Sequence, residues 1–259
     1  MTRSENLKRT KTYFASDFHL GAPNHSESRI REDRIVSWLN SIKDETKELY
    51  ILGDIFDFWF EYKTVIPKGF VRIQGKLAEF SDAGIPIHLF LGNHDFWMFD
   101  YFEKELNAII HRKPFITEID GKKFYLAHGD GLGPGDESYK LLKKVFANPI
   151  CKWLFGFLHP TIGMGIANSW SKKSRINSGK DEHFLGQENE WLAIYSKEIA
   201  EKQEIDYFIF GHRHLPLTLQ IGKSSQYINL GEWMNYNTYA EFDGNETVLK
   251  TYKDHVSKK

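Results

Sequence analysis

One cysteine, Cys151, is all that this 259-residue chain carries. No internal disulfide can form, and a reducing compartment is the expected setting. Long apolar runs are missing too. A bilayer span takes about 20 apolar residues, whereas WLFGFL at 153–158 is among the longest runs present. The opening stretch, MTRSENLKRTKTYFAS, is polar and basic and lacks the apolar core of a secretory signal. The expectation is a cytoplasmic protein. Neither sign of charge prevails, since the formal net charge is −1, so nothing global argues for nucleic acid as a partner. Internal repeats and low-complexity linkers are likewise absent. The last absence is local: from 138 to 180 there is no Asp or Glu at all.

That acid-free stretch is rich in other things. It holds eight basic residues, Lys140, Lys143, Lys144, Lys152, Lys172, Lys173, Arg175 and Lys180, interleaved with bulky apolar ones such as Trp153, Phe155, Phe157 and Trp170. It reads as two or three short helices, basic and apolar together, inserted between two core strands. The rest of the chain is aromatic-rich, at 15%, and long enough to bury a substantial single core.

Short β-branched and aromatic runs recur at 12–16, 49–53, 85–92, 123–129, 206–211 and 226–231. Their near-continuous apolar character suits strands covered on both faces. Helical periodicity fills 29–43, where Ile35, Trp38, Leu39 and Ile42 share a face, and 70–80. Alternation of strand and helix predicts an α/β layered fold. The late runs at 226–231, 236–242 and 246–252 have no helices between them and read as antiparallel.

Polar clusters interrupt five of these runs at their ends: SDFHLG (Asp17, His19), GDIFDFW (Asp54, Asp57), GNHDF (Asn93, His94, Asp95), AHGDG (His128, Asp130) and FGHRHLP (His212, His214). Any one of them alone reads as a turn or a helix cap. Burying so many polar groups together is costly unless something pairs with them. Carboxylate, amide and imidazole donors without thiolate suit Mn²⁺, with Fe or Zn²⁺ as alternatives, rather than a structural zinc site. Carboxyl ends of strands are where α/β sheets place their active sites. Asp57 and Asp130 fit turn or supporting roles as readily as ligand roles. His25, His88, His111, His159, His183 and His255 lie outside the clusters and read as ordinary surface or core histidines.

The ordered set D-x-H, G-D, G-N-H-D, H-G-D, G-H-x-H resembles the calcineurin-like metallophosphoesterase family over residues 17 to 214. The resemblance implies a four-layer αββα sandwich around a site for two divalent metal ions. One ion would take Asp17, His19, Asp54 and His214. The other would take Asp54, Asn93, His128 and His212, with Asp54 bridging. His94 would be catalytic, stabilising a phosphoryl oxygen or protonating the leaving group, with Asp95 as its orienter. The 138–180 segment, with HGDG before it and SKKSR within it, resembles the inserted helical cap of the UDP-2,3-diacylglucosamine pyrophosphatase family of lipid A biosynthesis. That family's D-x-x-Y is matched by Asp136 and Tyr139. Candidate substrate-binding residues are then Asp136, Tyr139, Ser171, Lys172, Ser174 and Arg175.

The implied reaction hydrolyses the diphosphate of a lipid-linked nucleotide sugar, giving UMP and 2,3-diacylglucosamine 1-phosphate. The implied setting is peripheral contact with anionic membrane, at the inner membrane. The chain keeps G-N-H-D where that family reads G-N-R-D. The competing reading is a phosphoesterase for another phosphomonoester or phosphodiester, such as a nucleotide, a phosphoprotein or a different lipid phosphate. The expected organisation is one domain over 1–259 with the cap at 138–180.

Overall fold

The computed structural model describes residues 9–134, 137–178, 183, 184 and 186–253, without the side chains of 137–139, 142, 168, 170 and 172–178. Two sheets stack face to face. In the first, the parallel strands β1 (Lys11–Ala15), β2 (Thr46–Ile51), β3 (Ile87–Phe90) and β4 (Ile109–His111) continue into an antiparallel pair, β10 (Thr238–Phe242) and β11 (Thr247–Thr251), in the order β11-β10-β1-β2-β3-β4. In the second, β6 (Lys122–Ala127), β7 (Tyr207–Phe210) and β9 (Ser225–Asn229) are parallel, flanked by antiparallel β5 (Phe115–Ile119) and β8 (Leu217–Ile221), in the order β5-β6-β7-β9-β8.

Period-2 alternation accounts for the layering. Phe14, Tyr50, Leu52 and Phe90 face Phe124, Leu126, Ile209 and Ile228 between the sheets. Their neighbours Tyr13, Ala15, Leu49 and Ile51 point the other way, against Trp38 and Leu39 of α1 (His25–Ile42) and Ile73 and Leu77 of α2 (Val71–Asp82). On the far side, Tyr125, Ala127, Phe208 and Phe210 pack on Leu192 and Ala193 of α7 (Trp191–Ala200). The order is helix, sheet, sheet, helix: the αββα sandwich. Each fully buried Phe, Leu or Ile contributes about 1.5–3 kcal/mol, so these three interfaces make a stiff frame for the strand ends.

The predicted face of α1 is buried at Ile35, Trp38, Leu39 and Ile42, and Asn24 caps the helix by accepting from the Glu27 amide at 3.0 Å. The late strands depart from expectation. Only β10 and β11 form an antiparallel pair with each other; β9 lies in the other sheet, parallel to β7 and antiparallel to β8. The turn after Leu230 carries the chain from one sheet to the other, which a strand-by-strand reading does not foresee. Between β6 and β7 run α4 (Glu137–Ala147), α5 (Pro149–Gly156) and α6 (Pro160–Ser178), the helices expected from the acid-free stretch. They rest on an aromatic layer: Phe155 meets Phe58, Phe60 and Trp97, and Trp97 donates to the Phe146 carbonyl at 3.0 Å.

Candidate metal centre

All five polar clusters sit just past the carboxyl ends of parallel strands, β1, β2 and β3 in one sheet and β6 and β7 in the other. The backbone there is unusual. Asp17, His19, Asp54, His212 and His214 all have positive φ, between 44° and 66°. Non-glycine residues seldom adopt that region, and such outliers concentrate where surrounding structure enforces a functional geometry. Arg31, buried on α1, ties down one of these turns by donating to the carbonyls of Phe18, His19 and Ala22 at 2.7, 2.6 and 2.5 Å. Nothing in the motifs announces Arg31; an arginine on the buried face of a helix is the one available signal.

Around Asp54 the side chains converge. Its Oδ2 lies 3.8 Å from His19 Nε2 on one side and 3.4 Å from His128 Nε2 on the other. On the His19 side, Asp17 Oδ1 is 3.5 Å from His19 Nε2 and 3.2 Å from His214 Nε2, and the two histidine nitrogens are 3.0 Å apart. On the His128 side, Asn93 Oδ1 is 3.1 Å from His128 Nε2 and 2.9 Å from His212 Nδ1. Asp17, His19 and His214 form one group with ligand atoms within 4.8 Å of one another, and Asp17, Asp54 and His128 form another.

These residues fit divalent cations on this chain's own geometry. Asp17 Oδ1 is fully buried and makes no well-formed hydrogen bond; its neighbours are the Nε2 atoms of His214 and His19, at 3.2 and 3.5 Å. A buried carboxylate oxygen left in that state is expensive without a cation. His128 Nδ1 lies 2.7 Å from the Leu52 carbonyl, which must accept its proton and so turns Nε2 towards the site. Gly92 and Gly211 leave no room for a side chain. A Cβ at Gly92 would overlap Asp54 Oδ1, and one at Gly211 would overlap Asp17 Oδ2.

Electrostatics point the same way. Burial pulls His128 down, but the carboxylates around it, Asp54 first and then Asp17 and Asp130, together outweigh that and its pKa rises to about 10. His214 is raised by Asp17, also against burial. Burial works against the charge on Asp17 and Asp54, yet their histidine neighbours hold both carboxyls below the usual range. Without cations, a proton therefore occupies His128, an imidazole that a cation would use, whereas burial pushes His19 and His212 down to about 4 and leaves them neutral. Cation uptake at pH 7 should release at least one proton per chain. Since His128 is protonated below about pH 10, apparent affinity should fall as pH drops, by about a decade per unit for each proton displaced. Calorimetry in buffers of different ionisation enthalpy reads that number directly; a slope of zero would show the imidazoles already neutral.

His94 belongs to the same cluster but is held differently. Its amide donates to Asp54 Oδ1 at 2.9 Å, and its ring meets that of His19 edge-on at 4.9 Å. Its Nδ1 lies 3.0 Å from the Asp57 carbonyl and 3.2 Å from the Ser171 hydroxyl on α6. Its position also brings it within ligand reach of His19 and Asp54. The expectation for Asp95 is corrected. Its carboxylate does not orient His94; buried completely, it accepts from the amides of Gly92, Ile55 and Asp54 at 2.9, 2.7 and 3.2 Å. The orienting group is the carbonyl of Asp57. Burial, together with the charge of Asp54, raises the Asp95 pKa. Its structural effect is to stitch the GNHD turn to the GD turn.

Of the cap candidates, Ser171 reaches this cluster. Asp136 lies outside the described residues, as do the side chains of Tyr139 on α4 and Lys172, Ser174 and Arg175 on α6. A second tie was not foreseen: Lys143 of α4 pairs with the Asp130 carboxylate at 2.6 Å, two residues past His128.

The pattern of the calcineurin-like phosphoesterase family matches residues 10–216. This chain belongs to that family. Among curated relatives, it is 42% identical to a UDP-2,3-diacylglucosamine hydrolase of Porphyromonas gingivalis, over 95% of this chain and 99% of that protein. A UDP-2,3-diacylglucosamine hydrolase from a Shewanella species is 26% identical over 86% of this chain and 89% of its own length. A solved structure of Yfce, a phosphoesterase from E. coli, aligns at 17% identity with a TM-score of 0.43, covering 90% of this chain and 88% of that one.

Proposed function

We propose that this chain hydrolyses the diphosphate of UDP-2,3-diacylglucosamine to UMP and 2,3-diacylglucosamine 1-phosphate. One observation carries the reading: the convergent cluster around Asp54 is touched by the basic, apolar helices themselves, through Ser171 to His94 and Lys143 to Asp130. A site for phosphoester chemistry thus adjoins a surface suited to a substrate that is anionic at one end and greasy at the other. Leu141 on α4, Ile150, Trp153 and Leu154 on α5, and Phe157 just after it are all more than half exposed. Each buried CH₂ of an acyl chain is worth about 0.8 kcal/mol.

Asp17, His19, Asp54 and His214 would hold one cation, and Asp54, Asn93, His128 and His212 a second, with Mn²⁺ the proposed metal and Fe or Zn²⁺ the alternatives that mixed carboxylate and imidazole donors also suit. When bound, two such ions supply Lewis-acid polarisation of phosphoryl oxygens and lower the pKa of water. Asp54 keeps the two sets in register through its shared carboxylate. His94, with Nδ1 committed to the Asp57 carbonyl, presents Nε2 to a phosphoryl or leaving oxygen at the α-phosphorus. The chain would act as one domain with residues 138–180 as its cap, and the proposed substrate-binding residues are Asp136 just before the cap and Tyr139, Ser171, Lys172, Ser174 and Arg175 within it.

No described helix is long and apolar enough to cross a membrane. The cap's lysines and exposed aromatics instead suit peripheral docking on the anionic cytoplasmic face of the inner membrane, at about 1 kcal/mol per well-placed basic residue. The retained His94, where the pyrophosphatase motif reads Arg, favours the second reading: a phosphoesterase for a different phosphomonoester or phosphodiester.

The test is hydrolysis of UDP-2,3-diacylglucosamine with Mn²⁺ in ¹⁸O-water, with a chelated control. Metal-dependent UMP carrying the label is expected, because attack falls on the α-phosphorus. No UMP release, alongside turnover of bis-p-nitrophenyl phosphate, would replace the lipid substrate with the second reading.

A further inference from the structure

We propose that Ser171 is a positioning residue for His94, through which the seating of the cap is communicated to the reacting centre. The proposal rests on the reading that His94 works at phosphorus. It concerns how that imidazole is held, and by which part of the molecule.

Two oxygens lie within hydrogen-bond distance of His94 Nδ1, and the Asp57 carboxylate stands further off at 3.8 Å. The Asp57 carbonyl, 3.0 Å from His94 Nδ1, can only accept, so Nδ1 must carry the proton. Ser171 Oγ, 3.2 Å from the same nitrogen, then shares that N–H as a second acceptor. The first oxygen belongs to the loop after β2, part of the rigid frame. The second arrives on α6, from the segment between β6 and β7, on a residue that is 6% exposed. The ring torsion of histidine is broad, so a single acceptor restrains its tilt weakly, whereas two acceptors from different elements fix it. Misplacing a reacting group by about 1 Å can cost about 10²-fold in rate.

The consequence is specific. With α6 seated, Nε2 of His94 faces the cluster in one orientation; with α6 displaced, Nδ1 keeps the Asp57 carbonyl at 3.0 Å and the Asp57 carboxylate at 3.8 Å but loses the Ser171 hydroxyl. The neighbouring contact of Lys143 with Asp130, at 2.6 Å, attaches α4 to the loop that carries His128, so the cap grips both sides of the site. Substrate that settles the cap thereby also sets the imidazole.

The experiment is a double-mutant cycle of Ser171→Ala and His94→Ala. It uses whichever of the two substrates above the protein turns over, with metal content checked in each variant. Ser171→Ala should lower kcat about tenfold with KM within about twofold, and Ser171→Thr, which keeps the hydroxyl, should recover it. In the His94→Ala background the Ser171 change should have no further effect. A raised KM that persists in the His94→Ala background would make Ser171 a substrate contact instead and overturn the proposal. If His94→Ala cripples turnover while Ser171→Ala does not, the proposal alone fails. If His94→Ala is itself harmless, the reading beneath it fails as well. A readout independent of turnover is the His94 Nδ1–H resonance in ¹⁵N-histidine-labelled, metal-free protein. That proton should exchange faster in Ser171→Ala and be restored in Ser171→Thr; no change would overturn the contact.

Discussion

Replacing His94 by alanine should lower kcat by about 10²–10⁴-fold, the range for loss of a general acid or base, and leave cation content nearly intact. The first half follows from where the ring sits. Its Nδ1 is taken by the Asp57 carbonyl, and it stands edge-on to His19 at 4.9 Å, inside the cluster. The second half follows from the distances around Asp54. The contacts that define the two candidate cation positions join Asp17, His19, His214, Asn93, His128 and His212, none of which depends on the His94 side chain. The link from His94 to Asp54 is its backbone amide, which alanine keeps. Metal analysis therefore separates two roles that activity alone would merge, because His94 is also within ligand reach of His19 and Asp54. Lost turnover with both cations retained identifies a group acting on substrate. Lost turnover with one cation gone identifies a ligand. Full turnover removes His94 from the chemistry.

Much of this arrangement was legible in the sequence for a physical reason. A carboxylate or imidazole directly after a run such as TYFAS or DYFIF has nowhere to go but the strand's carboxyl end, and strands buried on both faces make such runs unmistakable. The structure accordingly brings Asp17, His19, Asp54, Asn93, His94, His128, His212 and His214 together. Short edge strands were less legible. β8 alternates exposed Thr218 and Gln220 with half-buried Leu217 and Leu219, and β4 has three residues, one of them exposed Ile109. Neither offers the apolar density on which recognition depends.

Partner choice was the weakest point. Asp95 follows His94 in sequence, which invites pairing between them, but a turn points successive side chains apart. The Asp95 carboxylate faces inward to the amides of Gly92 and Ile55. The group that orients His94 is a backbone carbonyl, and no residue type advertises a carbonyl. The positive φ values at five site residues are equally silent in the sequence, because aspartate and histidine carry no mark of the conformation that the fold imposes on them.

Asp54→Asn should have the larger effect on the cations themselves. Asparagine keeps the shape of the side chain and an oxygen able to accept from the His94 amide, so the turn itself should survive. What it removes is the negative charge shared between His19, at 3.8 Å, and His128, at 3.4 Å. In the proposed sets the other carboxylate, Asp17, serves the His19 and His214 side, although it also lies within 4.8 Å of the Asp54 and His128 ligand atoms, while the neutral Asn93 serves the His128 side. Without the Asp54 charge the His128 side has no anionic ligand from the proposed set, and a divalent ion there would rest on two imidazoles and two amide oxygens. Content should fall towards one cation per chain or fewer. A polarising metal supplies several kcal/mol of transition-state stabilisation, and at about 1.4 kcal/mol per decade its loss corresponds to roughly 10³-fold in kcat. His128 should respond as well, since the Asp54 carboxylate is the foremost of the three, with Asp17 and Asp130, that raise it; its pKa should drop in the metal-free variant, which histidine NMR titration reads. Two cations per chain with kcat within tenfold of the parent would remove Asp54 from the shared position.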